Sequence, residues 1–267
     1  MSNGQPVANK KSLSFTQISM YLKCPRQYEF RYLRGIKLPA SGAMVQSRAW
    51  HAAVERNYRQ KITSGVDLRL ADVEEYFICR LEEMLAGEEV VFKVGESRES
   101  LIEQGLAIVA AHHKTIATKV QPWLVEHKFT VSLGEDFPYL LTGVWDVVER
   151  NGTIADNKAY GKKPTQAEVN ENLQFTTYSL GYRISQQRIE RRLRMDAVIK
   201  NDPPRATQFS TRRTNADCHR LLKLIDGMAQ AISSGDLPPN SKGWWCSHNG
   251  CSYWGSHCME GYGRRYY

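Results

Sequence analysis

Apolar residues recur at helical spacing through the first half of the chain. Ser14 followed by Gln17 forms a capping-box pair, which predicts a short helix over 14–22. Pro25 suits the first turn of a second helix. Three longer amphipathic helices are predicted where apolar positions repeat every three to four residues, over 43–63, 70–87 and 98–119.

The pattern changes to alternation in the second half. Residues 123–133 alternate as a half-buried strand does, and residues 139–149, rich in Leu, Val and Trp, are predicted as a second strand. Asn151-Gly152 then gives a strong two-residue hairpin signal. The further elements predicted are a strand over 153–158, a helix over 166–187, strands over 193–200 and 207–211, and a helix over 215–234. This order predicts an α/β core with a helical N-terminal part packed beside it.

Two aspartates and a lysine lie on the paired strands of the hairpin. Pairing around Asn151-Gly152 places residues whose numbers sum to about 303 opposite each other, so Asp146 is predicted near Asn157. Asp156 and Lys158 are two apart on a strand and share a face. Two carboxylates suit Mg²⁺ or Mn²⁺, and a lysine beside them can orient or deprotonate water and stabilise phosphate charge. The alternative is an ordinary surface hairpin with a solvated lysine.

The net charge of the chain indicates the kind of partner that it binds. The chain has 267 residues and a net charge of +8, which favours an anionic partner such as nucleic acid. Cations for phosphates and aromatic faces for bases are what a single strand needs. The residues predicted to bind it are Arg26, Tyr28, Lys162 and Lys163.

We expect neither a secretory leader nor a membrane anchor in this sequence. Residues 1–12 are polar and are predicted to form a disordered arm. No apolar run approaches the ~18 residues that a membrane span needs. We therefore expect a cytoplasmic protein that does not act on a membrane.

The six cysteines are unevenly distributed. Cys24 lies in a CPRQY motif, whereas three others lie near the C-terminal end, at Cys246, Cys251 and Cys258. Four thiolates could bind Zn²⁺ or a [4Fe–4S] cluster, and spacing alone does not separate these two, although a zinc ribbon fits poorly without a C-x-x-C pair. Cys79 and Cys218 fall in predicted helices and are expected to be buried thiols.

The stretch around the acidic pair resembles the PD-(D/E)XK nuclease superfamily in its RecB-like branch. That branch has G-x-x-D, then D-x-K closing a hairpin, then a helix bearing Q-x-x-x-Y. The matching residues here are Gly143, Asp146, Asp156, Lys158, Gln174 and Tyr178. The resemblance implies a restriction-endonuclease-like α/β core with a mixed central sheet flanked by helices.

The resemblance also implies roles for individual residues. The metal would be bound by Asp146, Asp156, the backbone carbonyl of Asn157, and His51 in the motif AWHAAVE, which carries Glu55 one turn later. Gln174 and Tyr178 would position the substrate strand or the lysine. One departure is Asn157 itself, because this position is often aromatic in such families. Both the aspartates and the lysine are present, so catalysis is expected.

AddB-like nucleases and RecB-like CRISPR-associated exonucleases carry one cysteine before the nuclease core and three after it. This resemblance implies a [4Fe–4S] cluster, with zinc as the alternative occupant, held by Cys24, Cys246, Cys251 and Cys258. The cluster would join the tail to Cys24. One domain is expected over 13–267, with a mainly helical part over 13–120, the nuclease core over 121–235 and a Cys-rich tail over 236–267.

For function, the resemblance implies a Mg²⁺- or Mn²⁺-dependent DNA exonuclease that acts on single-stranded DNA or duplex ends, in recombination, repair or CRISPR-related processing. Two other interpretations remain open: a non-catalytic nucleic-acid-binding subunit with the same fold, and a zinc-dependent interaction protein. Polarity, endonuclease against exonuclease action, and DNA against RNA stay open too. Ring-shaped assemblies occur among similar proteins, which leaves a homo-oligomer or a larger nuclease complex open.

Overall fold

The computed structural model describes residues 10–135, 137–248 and 250–258. Internal contacts divide the chain into two compact units, each drawn from separated segments. Unit 1 takes Met1–Leu38, Thr130–Gly143 and Asn215–Tyr267, and unit 2 takes Pro39–Phe129 and Val144–Thr214. One nuclease domain over 13–267 stays a prediction. Within the described ranges, no helix has both the length and the apolar character needed to cross a membrane.

Unit 1 begins with a strand where the sequence predicted a disordered arm. Its elements are β1 (Lys11–Ser14), α1 (Phe15–Lys23), α2 (Pro25–Tyr28), α8 (Asn215–Ser234) and two π-helical segments (Glu29–Leu33 and Trp254–Cys258). Strand β1 pairs in parallel with residues 139–142 and buries Leu13. The predicted arm is therefore wrong at Lys11 and Ser12, because their backbone joins a sheet, while residues 1–9 lie outside the described residues. The capping box is confirmed: the Ser14 N–H donates to Gln17 Oε1 at 2.8 Å.

Unit 2 contains the long helices and the centre of the sheet. Its elements are β2 (Ala40–Ser41), α3 (Gly42–Ser64), α4 (Leu70–Gly87), β3 (Val90–Val91), α5 (Arg98–Thr115), β6 (Thr153–Tyr160), α6 (Gln166–Glu171), α7 (Leu173–Gln186), β7 (Arg192–Ile199) and β8 (Arg205–Thr211). Two strands, β4 (Pro122–Ser132) and β5 (Tyr139–Glu149), have residues in both units. The three long helices are confirmed, and their buried side chains include Trp50, Tyr58 and Phe77.

The sheet is mixed, as predicted. Its strands follow the order β1-β5-β6-β7-β8, and β4 also pairs with β5. The pairs β1–β5 and β6–β7 are parallel, whereas β5–β6 and β7–β8 are antiparallel. In unit 2, α5 packs on β7 and β8, and α6 packs on β8.

The hairpin register differs by one residue from the predicted one. Val147 lies opposite Ala155 and Val148 opposite Ile154. The turn has three residues instead of two: Glu149 O accepts the Gly152 N–H at 2.8 Å, and Gly152 has a φ of +84°. A tight turn followed by a left-handed residue is the usual three-residue hairpin, and glycine adopts that conformation without strain.

The helix predicted over 166–187 is wrong as a single helix. It is broken at Asn172, whose backbone is extended, with a ψ of 110°. The Asn172 side chain accepts the Gln174 N–H at 2.9 Å and so caps α7. Asparagine favours this position because its side chain satisfies a free backbone donor. Helix α7 consequently starts one residue before Gln174.

Candidate functional site

Asp156 is at the centre of a buried polar group in unit 2. It is fully buried on β6, and its Oδ1 accepts hydrogen bonds from Gln174 Nε2 at 3.0 Å and the Tyr178 hydroxyl at 3.2 Å. Its Oδ2 lies 3.1 Å from Lys158 Nζ. Burial raises the pKa of Asp156 to about 6, against the lowering effect of Lys158. A carboxylate in this environment is stabilised by a further cation.

Gln174 and Tyr178 act together. They lie four residues apart on one face of α7, and Gln174 Nε2 also donates to Tyr178 Oη at 2.8 Å. Both side chains contact the carboxylate of Asp156. The structure thus brings this predicted pair to the acidic centre.

The side chain of Asp146 on β5 is hydrogen-bonded to the backbone of β6, the strand that carries Asp156. Its Oδ2 accepts the backbone N–H of Asn157 at 2.8 Å, so the predicted proximity of these two residues is confirmed despite the shifted register. On α3, His51 Nδ1 lies 3.5 Å from that oxygen. Burial raises the pKa of Asp146, although His51 and Lys158 oppose the shift.

Glu126 completes a group with His51 and Asp146. Glu126 Oε1 lies 3.8 Å from His51 Nδ1, and one ligand atom from each of the three residues lies within 4.8 Å of the other two. Burial disfavours the imidazolium of His51, but the carboxylates of Asp146 and Glu126 outweigh burial and raise its pKa. An imidazole and two carboxylates at this spacing can coordinate one divalent cation.

Sequence reasoning missed Glu126. Strand β4 alternates normally around Val125, Phe129 and Val131, and no motif identifies the glutamate. In the structure Glu126 has a φ of 45°, which is uncommon for any residue but glycine. Such a local distortion of a strand re-aims a side chain. Glu55, by contrast, lies near His51 in sequence, but its Oε1 accepts a hydrogen bond from Arg59 Nε at 2.6 Å.

Asn157 has a buried partner that sequence reasoning also missed. Its Oδ1 lies 3.1 Å from His112 Nε2 on α5, and both side chains are buried. Burial lowers the pKa of His112 to about 4. An amide oxygen can only accept a hydrogen bond, so the partner that fits Asn157 Oδ1 is a protonated Nε2 of His112. The side-chain oxygen of Asn157, at a position that is often aromatic, thereby has a hydrogen-bond partner.

The four predicted cluster thiols line one cavity in unit 1. Cys24 is buried, and the other three are half-buried. Gln27 Nε2 lies 3.1 Å from Cys251 Sγ, and the Asn240 N–H donates to Cys24 Sγ at 3.4 Å. Burial and then the charges of the other three thiols raise the pKa of Cys258. The structure thus brings Cys24 together with the three cysteines of residues 246–258.

The other two cysteines differ from each other. Cys218 is buried, as predicted, whereas Cys79 is exposed on α4 and bonds Glu83 at 3.5 Å. The expectation that Cys79 is buried is therefore wrong. The helix turns this position to solvent while Phe77 and Leu81 face the core.

The predicted nucleic-acid contacts fall into two groups. Lys162 and Lys163 are exposed directly after β6. Tyr28 is only 3% exposed and packs against two other tyrosine rings, which leaves no face for a base and corrects that prediction. Arg26 is ion-paired with Glu29 and also lines the thiol cavity.

Comparison with known proteins identifies the family and supports the fold. The model of the PD-(D/E)XK nuclease superfamily matches residues 12–256. The fold is similar to the crystal structure of a candidate exonuclease from Eubacterium rectale, with a TM-score of 0.58 and 14% sequence identity over 91% of this chain and 89% of that chain. At that identity the likeness shows the fold. No curated protein matches the chain.

Proposed function

Because the chain belongs to the PD-(D/E)XK nuclease superfamily, we propose that it is a Mg²⁺- or Mn²⁺-dependent DNA exonuclease of the RecB-like branch. The observation that carries the proposal is the convergence of the acidic pair on one histidine and one lysine in unit 2. The residues of this group are His51, Asp146, Asp156 and Lys158.

The donor set fits a hard divalent cation. His51, Asp146, Asp156 and the backbone carbonyl of Asn157 would hold it, with Glu126 as a further donor. The raised pKa values of the two buried aspartates support this assignment, because an added cation offsets the cost of their charge. When bound, Mg²⁺ or Mn²⁺ polarises the scissile phosphate and lowers the pKa of an attacking water.

Lys158 would act on the attacking water and the phosphate, and Gln174 and Tyr178 would hold Asp156 in place. Burial disfavours the ammonium of Lys158, but Asp156 and Asp146 outweigh it and raise its pKa. The ammonium therefore keeps its proton, orients the water and stabilises negative charge on the phosphate. Gln174 and Tyr178 hold Asp156 Oδ1 and so fix the plane of its carboxylate.

DNA is the proposed substrate because of charge. The chain carries a net charge of +8, and Lys162 and Lys163 are exposed just beyond the site. We propose single-stranded DNA or duplex ends as the form attacked, in recombination, repair or CRISPR-related processing in the cytoplasm. A homo-oligomer or a larger nuclease complex is compatible with this proposal.

The thiol cavity supports a [4Fe–4S] cluster better than zinc. A single Zn²⁺ with Zn–S bonds of about 2.3 Å holds its four sulfurs about 4 Å apart. Among the described residues, no three thiol sulfurs lie within 4.8 Å of one another. Wider spacing suits a cluster in which each thiolate binds a different iron. The cluster would be held by Cys24, Cys246, Cys251 and Cys258.

End-labelled substrates test the proposal. The chain, purified anaerobically, is incubated with 5′- and 3′-labelled single-stranded DNA, duplex DNA and RNA, with Mg²⁺, Mn²⁺ or a chelator. We expect metal-dependent release of short products from DNA ends. Absence of cleavage with either metal would contradict the enzyme, preferential cleavage of RNA would contradict the substrate, and stoichiometric zinc without iron would contradict the cluster.

A further inference from the structure

A cavity of about 450 Å³ opens beside the acidic centre in unit 2. Its size lies within the range of small-molecule sites. Residues of the loop after β6, of α6 and of β7 surround it. Its lining includes Tyr160, Lys162, Lys163, Val169, Asn172 and Met195.

Three features of the chain place this cavity next to Asp156. Met195 on β7 is the register partner of Asp156 in the parallel β6–β7 pair, so the two side chains are neighbours. Tyr160 follows Lys158 by two positions on β6 and points to the same face of the sheet. Asn172 caps the helix whose first turn carries Gln174, a hydrogen-bond donor to Asp156. A nucleotide chain that has one phosphate at Asp156 thus reaches the cavity with its neighbouring nucleotide.

The lining has the chemistry of a nucleotide site. Val169 and Met195 are buried and form an apolar floor, and the half-exposed ring of Tyr160 offers a stacking face. Lys162 and Lys163 line the loop side, and the Lys163 ammonium lies 5.8 Å from the centre of the Phe209 ring. Apolar and aromatic faces bind a base, and cations bind its phosphate.

The carboxylates on one side of the cavity determine how a nucleotide would lie in it. Glu168 and Glu171 line it from α6, and Glu168 Oε2 accepts the Thr165 N–H at 2.6 Å. Carboxylates repel phosphate but tolerate an uncharged base. The base therefore belongs on the α6 side and its phosphate on the side of Lys162 and Lys163.

We propose that this cavity takes the unpaired nucleobase of the nucleotide adjacent to the scissile phosphate, stacked on Tyr160. The inference rests on the proposed nuclease function and adds a substrate class to it. A base inside a duplex is paired and stacked, and it must leave the helix to enter a cavity. The pocket consequently selects a single strand over an intact duplex.

Removing single bases from the substrate tests this pairing of base and ring. Short single-stranded DNAs are made in which one abasic nucleotide is moved stepwise along the strand, and the cut linkage is identified from product length. In the wild-type chain with Mn²⁺, we expect base removal next to that linkage to lower kcat/KM about tenfold, as for loss of one base–aromatic stack. In Tyr160→Ala, base removal should lower kcat/KM only about twofold or less. In Tyr160→Phe, which keeps the ring, base removal should still lower kcat/KM about tenfold.

The design separates folding from recognition. The intact and abasic strands are compared on the same variant, so a partly unfolded fraction cancels from the ratio. Tyr76→Ala, which removes a half-exposed ring from α4, is the matched control and should keep the tenfold ratio. Glu171→Trp should block the cavity and lower cleavage of single strands.

The outcomes of this test and of the cleavage test are distinguishable. Cleavage with no sensitive position, or with the same sensitivity in Tyr160→Ala, would overturn the pocket and leave the nuclease intact. Absence of cleavage of any strand by the wild-type chain would overturn the nuclease, and the pocket assignment with it.

Discussion

The acidic site of unit 2 and the thiol site of unit 1 are built in different ways. Asp146 and Asp156 lie on long strands and are buried within a packed core. Three of the four thiols lie within residues 246–258, where the described residues form turns and one π-helical segment, Trp254–Cys258. Trp244, beside this stretch, is 82% exposed.

We therefore expect the two sites to depend differently on a bound group. Strand register and helix packing position the acidic side chains in unit 2. The thiol segment buries little apolar surface, so burial alone does not offset the entropy lost on ordering it. A bound cluster would supply that free energy, so the proposed cluster would make the thiol site a folding element, whereas we expect the acidic site to be preorganised.

The largest effect is expected from Cys24→Ser. Structural metal sites contribute on the order of 10 kcal/mol of binding free energy, and loss of one of the four ligands weakens that contribution. We expect loss of visible absorbance near ~400 nm, the range in which thiolate-bound iron absorbs, and rapid proteolysis within residues 237–258. Cys79→Ser, at an exposed thiol, is the control. A Cys24→Ser chain whose tail stays protease-resistant would break the contrast between the two sites.

Asp156→Asn should remove catalysis and leave the fold. The amide keeps the shape of the side chain but loses the charge that the metal needs, so cleavage should fall about 10³-fold, or ~4 kcal/mol. The melting temperature should stay within a few degrees of the wild-type value, because a buried carboxylate of raised pKa is lost at the same time. Asp72→Asn on α4 is the matched control. Cooperative unfolding of unit 2 in Asp156→Asn would show that the acidic site is not preorganised.

His112 should make the stability of the metal-free protein depend on pH. Burial lowers its pKa to about 4, below the ~6.5 of an unfolded histidine. The unfolded chain therefore binds the proton first, so this contribution is complete above pH ~6.5 and is lost as pH falls toward ~4. Its full size is about 3 kcal/mol, and it should be absent in His112→Gln, which retains an amide donor for Asn157. Urea unfolding in a chelator across this range measures it, and equal pH slopes for the two proteins would refute it.

The smallest effect is expected from Glu126→Gln. If Glu126 supplies a further metal ligand, its loss should raise the Mn²⁺ concentration for half-maximal cleavage about tenfold, with kcat largely kept. Glu55→Gln removes a carboxylate near His51 in sequence that bonds Arg59 instead, and should leave the Mn²⁺ dependence unchanged. Equal Mn²⁺ dependence of Glu126→Gln and the wild-type chain would exclude Glu126 from the metal site.

Most elements of the fold could be predicted from periodicity. Helix α4 and strand β5 were predicted with the bounds they have, because their apolar spacing follows their own secondary structure. The break at Asn172 was missed because a helical pattern continues on both sides of it, and only the capping geometry ends one helix there. Strand β1 was missed because its pairing partner lies far away along the chain.

The shared face of Asp156 and Lys158 was determined by the sequence alone, since residues two apart on a strand point the same way whatever surrounds them. The i,i+4 pairing of Gln174 and Tyr178 followed from helical spacing for the same local reason. The group formed by His51, Glu126 and Asp146 was decided by tertiary structure, because it needs α3 packed beside the sheet and a positive φ at Glu126. Local propensity encodes neither condition, and only the assembled core of unit 2 imposes them.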